Sequence, residues 1–291
     1  MTPRKTEQPA SQGFEGITLE PTELSPNVCA FHDDDAGVWL YEANCIEFMD
    51  ALIACYPDGL FDLVFADPPY FLSNGGITCH AGKMVKVDKG QWDKSQGPEL
   101  NHEFNLAWID RCRKLLKADG TLWVSGTHHV IHSAGYAMQQ LGMKILNDIT
   151  WEKPNPPPNL SCRYFTHATE TILWAAKSER SKHCFNYADM REMNGGKQMK
   201  SVWTLPAPNG SEKRFGRHPT QKPIALLARI ILASSDPGAL VFDPFAGSAT
   251  TGVAAIAHKR RFVGTELDHG FLALGVDRLR DAVAMRASEL F

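Results

Sequence analysis

The chain has 291 residues, of which 43% are hydrophobic and 22% charged, with a formal net charge of −3 at pH 7. These values are typical of a globular protein with a full core. No apolar run approaches the roughly 20 residues that span a bilayer, and the polar N-terminus lacks a signal-peptide core, so we expect a cytoplasmic protein without membrane contact. The seven scattered cysteines show no metal-ligand spacing, so we expect reduced thiols and no metal site.

The predicted elements begin after a polar segment, residues 1–36, which we expect to be a loose arm with one short strand at 16–19. Strands are predicted over residues 38–41, 61–66, 121–125, 144–151, 169–175, 240–242 and 261–266. Helices are predicted over residues 45–55, 103–116, 130–141, 223–234, 250–257 and 271–285.

This alternation predicts an α/β fold with a doubly wound, mostly parallel, seven-stranded sheet. The sheet would be built from residues 37–177 and 218–291. In such sheets ligands bind at the carboxyl ends of the strands.

A basic, irregular segment separates these two parts of the fold. Between Lys177 and Lys222 there are ten Lys/Arg against four Asp/Glu, a local excess of six positive charges in an acidic chain. Such a segment is suited to phosphate contact, although a solvated basic loop is the plainer alternative. We therefore expect an insertion at 178–217 that binds a polyanion through five cations: Lys197, Lys200, Lys213, Arg214 and Arg217.

The first motif that carries chemistry joins a strand to a helix and reads Asp-Pro-Phe-Ala-Gly-Ser-Ala-Thr-Thr-Gly over residues 243–252. Gly247 allows a ligand to approach the backbone, and the start of the helix favours a carboxylate. The next strand ends in Glu266, which is suited to accept both hydroxyls of a ribose. Its alternative role is that of a helix-capping acid.

The second motif, Asp67-Pro68-Pro69-Tyr70, follows a buried strand. A ring amino group is a poor nucleophile because its lone pair is delocalised. The Asp67 carboxylate and the Pro68 carbonyl are placed to accept its two hydrogens, and Tyr70 offers a face for an extruded base. A plain proline turn is the alternative.

The third motif is His-Pro-Thr-Gln-Lys-Pro over residues 218–223, ahead of an apolar helix. Thr220 is suited to cap that helix, and Lys222 is suited to neutralise a ligand carboxylate.

Together the three motifs resemble those of the amino-methyltransferases of DNA restriction–modification systems, and their order is similar to the β group with its permuted motif order. The match covers roughly residues 37–285. Segments 71–76, 87–93 and 196–203 are similar to the MboII-type adenine-N6 enzymes.

The resemblance implies S-adenosylmethionine as cofactor and double-stranded DNA as partner, with a nucleoid-associated location. It admits a homodimer and a cognate restriction endonuclease. The implied catalytic residues are Asp67, Pro68, Pro69 and Tyr70. The implied cofactor-binding residues are Asn44, Cys45, Asp67, Thr220, Gln221, Lys222, Asp243, Phe245, Ala246, Gly247, Ser248, Glu266 and Leu267.

Three points remain open on the sequence. Asn44 stands where the family often has aspartate, so its contact with the cofactor adenine would carry no charge. Trp151 is a candidate to sandwich the extruded base or, equally, a core residue. The loop 72–97 is expected to close over that base.

The expected reaction is methyl transfer to N6 of adenine. N4 of cytosine is the nearest alternative, since aspartate before Pro-Pro favours adenine only moderately. Protein glutamine methylation is disfavoured by the motif order, and RNA adenine by the lack of an RNA-binding module. A catalytically inactive subunit that binds DNA and cofactor is the alternative from another class.

Overall fold

The computed structural model describes residues 28–71, 77–80, 83–86 and 94–288. The strands are β1 Val28–Asp33, β2 Val38–Glu42, β3 Phe61–Ala66, β4 Ile77–His80, β5 Lys83–Lys86, β6 Leu116–Gly126, β7 Lys144–Glu152, β8 Thr169–Ala176, β9 Val202–Thr204, β10 Leu240–Asp243 and β11 Arg261–Glu266. The helices are α1 Cys45–Cys55, α2 Pro98–Leu115, α3 Ile131–Gln140, α4 Tyr187–Met193, α5 Ile224–Ser234, α6 Thr250–Ala257 and α7 His269–Ser288.

The main sheet has the strand order β1-β2-β11-β10-β3-β6-β8-β7-β9. Strands β2, β11, β10, β3 and β6 run parallel to one another, and β8 runs antiparallel between β6 and β7. The seven predicted strands are therefore confirmed as the centre of an α/β sheet. The sheet has nine strands, not seven, because a short strand is added at each edge.

The strand at the first edge corrects the expected N-terminal arm, because residues 28–33 belong to β1 and pair with β2. The aspartates that suggested a loose segment form the turn of this hairpin. Asp33 accepts a hydrogen bond from the Ala36 amide at 2.7 Å, and Gly37 closes the turn with φ +68°. The short strand expected at 16–19 lies outside the described residues.

The strand at the other edge, β9, lies within the predicted insertion and pairs in parallel with β7. Helix α4 of the same segment is tied to α5, because the Asn186 side-chain amide donates to the carbonyls of Leu232 and Ser235 at 2.8 and 3.0 Å. Residues 178–217 are thus packed against the main fold, and they are more regular than the sequence indicated.

Helices cover both faces of the sheet, as a doubly wound fold requires. On one face α1, α2 and α3 bury Phe48, Trp108 and Ala134. On the other face α5, α6 and α7 bury Leu227, Ala254 and Leu279, among others. Each large side chain withdrawn from water contributes about 1.5–3 kcal/mol.

The predicted helices are confirmed within a few residues at each end. Helix α2 begins earlier than expected because Pro98 occupies its first turn, where a missing amide costs nothing. The predicted closing loop at 72–97 lies largely outside the described residues, and its described part includes the antiparallel hairpin β4–β5. Within the described ranges no helix is long and apolar enough to cross a membrane.

The topology brings the motifs to one edge of the sheet. Asp67 follows the carboxyl end of β3, and Asp243 and Glu266 end β10 and β11. Because β8 is antiparallel to β6, its first residues lie at the same edge. Glu170, the second residue of β8, therefore joins the motifs.

Candidate active site

A cavity of about 560 Å³ opens at this edge of the sheet, a size typical of small-molecule sites. It joins the turn after β3 to the loop after β10. Its lining residues are Ala43, Asn44, Cys45, Asp67, Pro68, Pro69, Tyr70, Phe104, His218, Thr220, Pro244, Phe245, Gly247, Thr265, Glu266, Leu267, Asp268 and Phe271. One continuous space therefore contacts both the predicted catalytic turn and the predicted cofactor loop.

The catalytic turn is held by hydrogen bonds to both oxygens of Asp67. The Tyr70 hydroxyl donates to Asp67 Oδ1 at 2.6 Å, and Lys222 Nζ donates to Oδ2 at 2.6 Å. Two prolines stop β3 and leave the turn with no competing amide donors at 68 and 69. Burial raises the pKa of Asp67, while the Lys222 ammonium acts in the opposite direction.

Glu170 completes a charge cluster that the sequence did not reveal. Its Oε2 lies 3.5 Å from Lys222 Nζ and 3.3 Å from the Tyr70 hydroxyl, and its Oε1 accepts from Lys153 Nζ at 2.5 Å. Two carboxylates thus face two ammonium groups, which leaves the cluster neutral. Burial opposes ionisation of Glu170, but Lys222 and Lys153 lower its pKa to about 2.

Lys222 itself is deeply enclosed, with only 6% of its side chain exposed. Burial disfavours its charge, yet the carboxylates of Asp67 and Glu170 raise its pKa. A buried ammonium held by two carboxylates carries a fixed charge beside the reacting group.

The loop after β10 is shaped from inside by Asp243, which is 2% exposed. Its Oδ1 accepts from the Phe245 amide at 3.0 Å and its Oδ2 from the Thr251 hydroxyl at 2.5 Å. Burial raises the pKa of Asp243 to about 7. Asp243 therefore supports the loop and does not line the cavity.

The same loop is held from behind by Arg278 of α7. Its guanidinium donates to the Ser248 hydroxyl and the Thr250 hydroxyl, each at 2.8 Å. Ser248 is thereby turned into the protein. Gly247 has φ +53°, and a Cβ there would lie 3.1 Å from His218 Nε2. Only glycine fits this wall of the cavity without strain.

Glu266 lies beside Gly247 on the same side of the cavity. Its Oε2 accepts from the Gly247 amide at 2.8 Å, and its Oε1 accepts from the Leu267 and Asp268 amides at 2.9 and 2.8 Å. Burial raises the pKa of this carboxyl. The capping acid of α7 is Asp268, which accepts from the Phe271 amide at 3.0 Å. Glu266 therefore faces the cavity and does not serve as that cap.

Asn44 and Cys45 lie where β2 passes into α1. Asn44 caps α1, because its Oδ1 accepts from the Ile46 amide at 2.9 Å. Its side-chain amide N–H groups then supply the donors at this point. Burial raises the pKa of the Cys45 thiol to about 12, so it stays protonated and acts as a small apolar wall.

The third motif differs from expectation in two respects. Glu212, not Thr220, caps α5, since its Oε2 accepts from the Ile224 amide at 2.8 Å. Thr220 instead lines the cavity, and its amide donates to His218 Nδ1 at 3.3 Å. Gln221 is buried and donates to the Glu212 carbonyl at 3.0 Å.

The structure thus divides the predicted cofactor residues into two groups. Those that line the cavity are Asn44, Cys45, Asp67, Thr220, Phe245, Gly247, Glu266 and Leu267. Those that stand behind its wall are Gln221, Lys222, Asp243, Ala246 and Ser248. The sequence did not single out Phe104, His218 and Phe271 as lining residues. Of these three residues, only His218 belongs to one of the sequence motifs, so it was the one that the sequence could have identified.

Trp151 lies in the core, 2% exposed, and donates to the Leu205 carbonyl at 2.8 Å. This placement favours its role as a core residue. Of the predicted polyanion-binding residues, Lys197 and Lys200 are exposed between α4 and β9. Arg214 forms an ion pair with Asp281 of α7.

A doubly wound, mostly parallel sheet, and a cavity that spans the carboxyl ends of β2, β3, β10 and β11, define a Rossmann-like methyltransferase. The family described as DNA methylase (N6_N4_Mtase) matches residues 61–277, and the chain belongs to this family. The type II methyltransferase M2.MboI of Moraxella bovis is 47% identical over 259 residues, which are 89% of this chain and 93% of that protein. M2.DpnII of Streptococcus pneumoniae is 55% identical over 219 residues, 75% of this chain and 82% of that protein.

Solved structures agree with this assignment. The M1.HpyAVI–SAM complex has a TM-score of 0.64 at 26% identity and covers 83% of this chain and 98% of that chain. The cytosine-N4-specific PvuII DNA methyltransferase has a TM-score of 0.66 at 18% identity, with 87% and 93% covered. At that identity the likeness concerns the fold alone.

Proposed function

We propose that the chain transfers the methyl group of S-adenosylmethionine to N6 of adenine at specific sites in double-stranded DNA. The observation that carries this proposal is the single cavity shared by the Asp67–Tyr70 turn and the loop at Gly247. A base amino group and a methyl donor bound there would occupy the same cavity, with no protein wall between them.

The residues present fit the cofactor. Glu266 faces the cavity as a ribose acceptor, and the missing Cβ of Gly247 leaves a cradle beside His218. Phe104 and Phe245, whose ring centroids lie 6.4 Å apart, give the cavity an apolar wall. When bound, S-adenosylmethionine supplies an electrophilic methyl group on a sulfonium centre.

The reaction that these residues support begins with extrusion of the base. The Asp67 carboxylate and the Pro68 carbonyl accept the two amino hydrogens and expose the nitrogen lone pair to the methyl group. The N–C bond forms as the C–S bond breaks, and the surplus proton on nitrogen leaves to Asp67 or to solvent. Positioning and the fixed charges around Asp67 supply the acceleration.

The aspartate before Pro-Pro is the feature that favours adenine over cytosine. We further infer that residues 178–217 bind DNA through Lys197, Lys200, Lys213, Arg214 and Arg217, with Lys197 and Lys200 among the contacts to phosphate. The type II methyltransferases among the relatives support a place in a cytoplasmic restriction–modification system, with a cognate endonuclease as partner. A homodimer is part of the same proposal, and sedimentation of the purified chain tests it.

The test of the reaction uses labelled S-adenosylmethionine and unmethylated genomic DNA, which is then digested to nucleosides and analysed by mass. N6-methyladenine is expected, and sequencing of the modified sites then gives the target. Detection of N4-methylcytosine would agree with the mechanism but would show that the target base is cytosine and not adenine. A complete lack of labelled nucleoside would overturn the reaction.

A matched pair of variants assigns the activity to the site. Asp67→Ala should lose at least about 100-fold in rate, the usual effect of removing one preorganised polar group from the reacting centre. It should retain cofactor and DNA binding. The control Asp58→Ala, at an exposed position, should keep full activity.

A further inference from the structure

The connection between β7 and β8, residues 153–168, presents the most exposed of the large hydrophobic side chains in the described residues. Phe165 is 95% exposed and the adjacent Tyr164 is 60% exposed. Exposed rings at one tip are typical of a contact surface. Nothing in the reaction described above uses this tip.

The tip is held in shape and is not a slack loop. The Asn159 side-chain amide donates to the Tyr164 carbonyl at 2.5 Å, and its oxygen accepts from the Ser161 amide at 3.0 Å. Cys162 adopts φ +53°, a conformation that costs a non-glycine residue energy. The two ends of the loop are joined by the Lys153 amide, which donates to the Ala168 carbonyl at 2.8 Å. A loop backbone held in this way loses little conformational entropy when the tip binds.

The tip also stands at the edge of the sheet where the cavity opens. Its C-terminal side leads directly into β8 and Glu170, which contacts Tyr70 of the catalytic turn. The ring of His167, 5.2 Å from that of His128, joins the loop to the segment after β6. The base of the loop is thus tied to the element that carries Glu170, beside the catalytic turn.

The charge of the loop selects its partner. Residues 153–168 contain no Asp or Glu, whereas they contain Lys153, Arg163 and His167. Arg163 is exposed immediately beside the rings. Aromatic side chains with a neighbouring cation are suited to stack on bases and contact phosphate.

We propose that this loop inserts the Phe165 ring into the DNA duplex at the target site, in the stacking position that the extruded base leaves. The inference rests on the proposed function. Extrusion breaks a base pair and its stacking, and an inserted apolar side chain compensates for that loss. Arg163 would hold the adjacent phosphate.

The test uses the full-length chain and a duplex that carries the mapped target site with 2-aminopurine in place of the target adenine. Fluorescence is measured with S-adenosylhomocysteine present. Wild-type protein should increase the emission as the base leaves the stack. With Phe165→Ala, the fraction of duplexes in which the base is extruded should fall roughly tenfold or more, in line with the loss of one stacking contact. Phe165→Trp should restore it.

A second measurement separates insertion into the duplex from other roles of the ring. Single-turnover methylation is compared on a matched duplex and on one in which the target adenine faces an abasic site. The Phe165→Ala defect should shrink on the second duplex, because no base pair has to be broken. The exposed ring of Tyr136 on α3 provides the control, and Tyr136→Ala should match wild type on both.

Other outcomes of these two measurements would contradict the insertion of Phe165. An equal defect on both duplexes, or an unchanged fluorescence response, would overturn insertion. A changed sedimentation coefficient with normal base extrusion would assign the tip to a protein contact and also overturn it. Wild-type methylation of the matched duplex reports on the proposed function separately, and melting temperature with cofactor binding shows that each variant is folded.

Discussion

Lys222 and Asp67 lie 155 residues apart in the chain, yet the Lys222 ammonium donates to the Asp67 carboxylate at 2.6 Å. The third sequence motif thus supports the second one directly. Because Glu170 also lies 3.5 Å from the same ammonium, the catalytic carboxylate shares its counter-ion with a second acid.

Removal of the shared cation should make the reaction need a higher pH. In Lys222→Met the Asp67 carboxylate loses its counter-charge while burial still raises its pKa, so the pKa rises further. Activity requires the ionised form and should therefore disappear as pH falls from a higher value than in wild type. We expect a loss of about 100-fold near pH 7 with partial recovery at alkaline pH, measured as kcat/KM against pH. The double variant Lys222→Met/Glu170→Gln, which restores a neutral cluster, should recover part of the loss; a flat profile would contradict this account.

Glu170→Gln should shift the acid limb of the profile of kcat/KM against pH in the opposite direction, to lower pH. The Glu170 charge raises the pKa of Asp67, so its removal lowers that pKa and lets activity persist to lower pH. The rate at neutral pH should nevertheless fall severalfold, because Lys222 then holds Asp67 alone and competes with the base amino group. Glu170→Asp should retain the wild-type acid limb. If the limb of Glu170→Gln does not move, Glu170 has a merely structural role.

Gly247→Ala should weaken cofactor binding by about tenfold. The backbone at φ +53° strains a residue with a Cβ by about 1–2 kcal/mol, and the new methyl group meets His218 at 3.1 Å. Titration with S-adenosylhomocysteine by calorimetry measures the effect. The matched control is Gly210→Ala, where no atom lies within 4 Å of the added Cβ and φ is −65°. That variant should bind normally, and equal losses in the two would refute the steric argument.

Charge reversal at the two exposed lysines of the insertion should weaken DNA binding and reduce its salt dependence. Each lost phosphate contact makes the negative slope of log K against log salt shallower by about 0.9. Lys197→Glu/Lys200→Glu should therefore make it shallower by about 2. The measurement is binding of a labelled duplex at several salt concentrations. Lys114→Glu/Lys117→Glu makes the same change of net charge at the exposed junction of α2 and β6, at the edge of the sheet opposite the cavity, and should leave the slope close to wild type. An unchanged affinity in the first variant would remove residues 197 and 200 from the interface.

The sequence by itself determined the fold class, the seven central strands and the order of the three motifs. Buried parallel strands are continuous apolar runs, and prolines and glycines mark where they end, so these features are local and visible in one segment at a time. Asp67, Gly247 and Glu266 could be singled out for the same reason. Each follows such a run at a point where the chain must turn.

Only the tertiary structure decided how distant side chains pair. Glu170 lies near the start of an ordinary apolar strand, and its importance follows from the antiparallel direction of β8, which brings its first residues to the carboxyl edge of the sheet. Lys222 was expected at a cofactor carboxylate, but the fold places its ammonium against Asp67. Likewise Glu212 caps α5 from twelve residues away. These relationships are set by the free energy of burying charges and helix ends together, which depends on all the elements packed around them and not on the local pattern of any one.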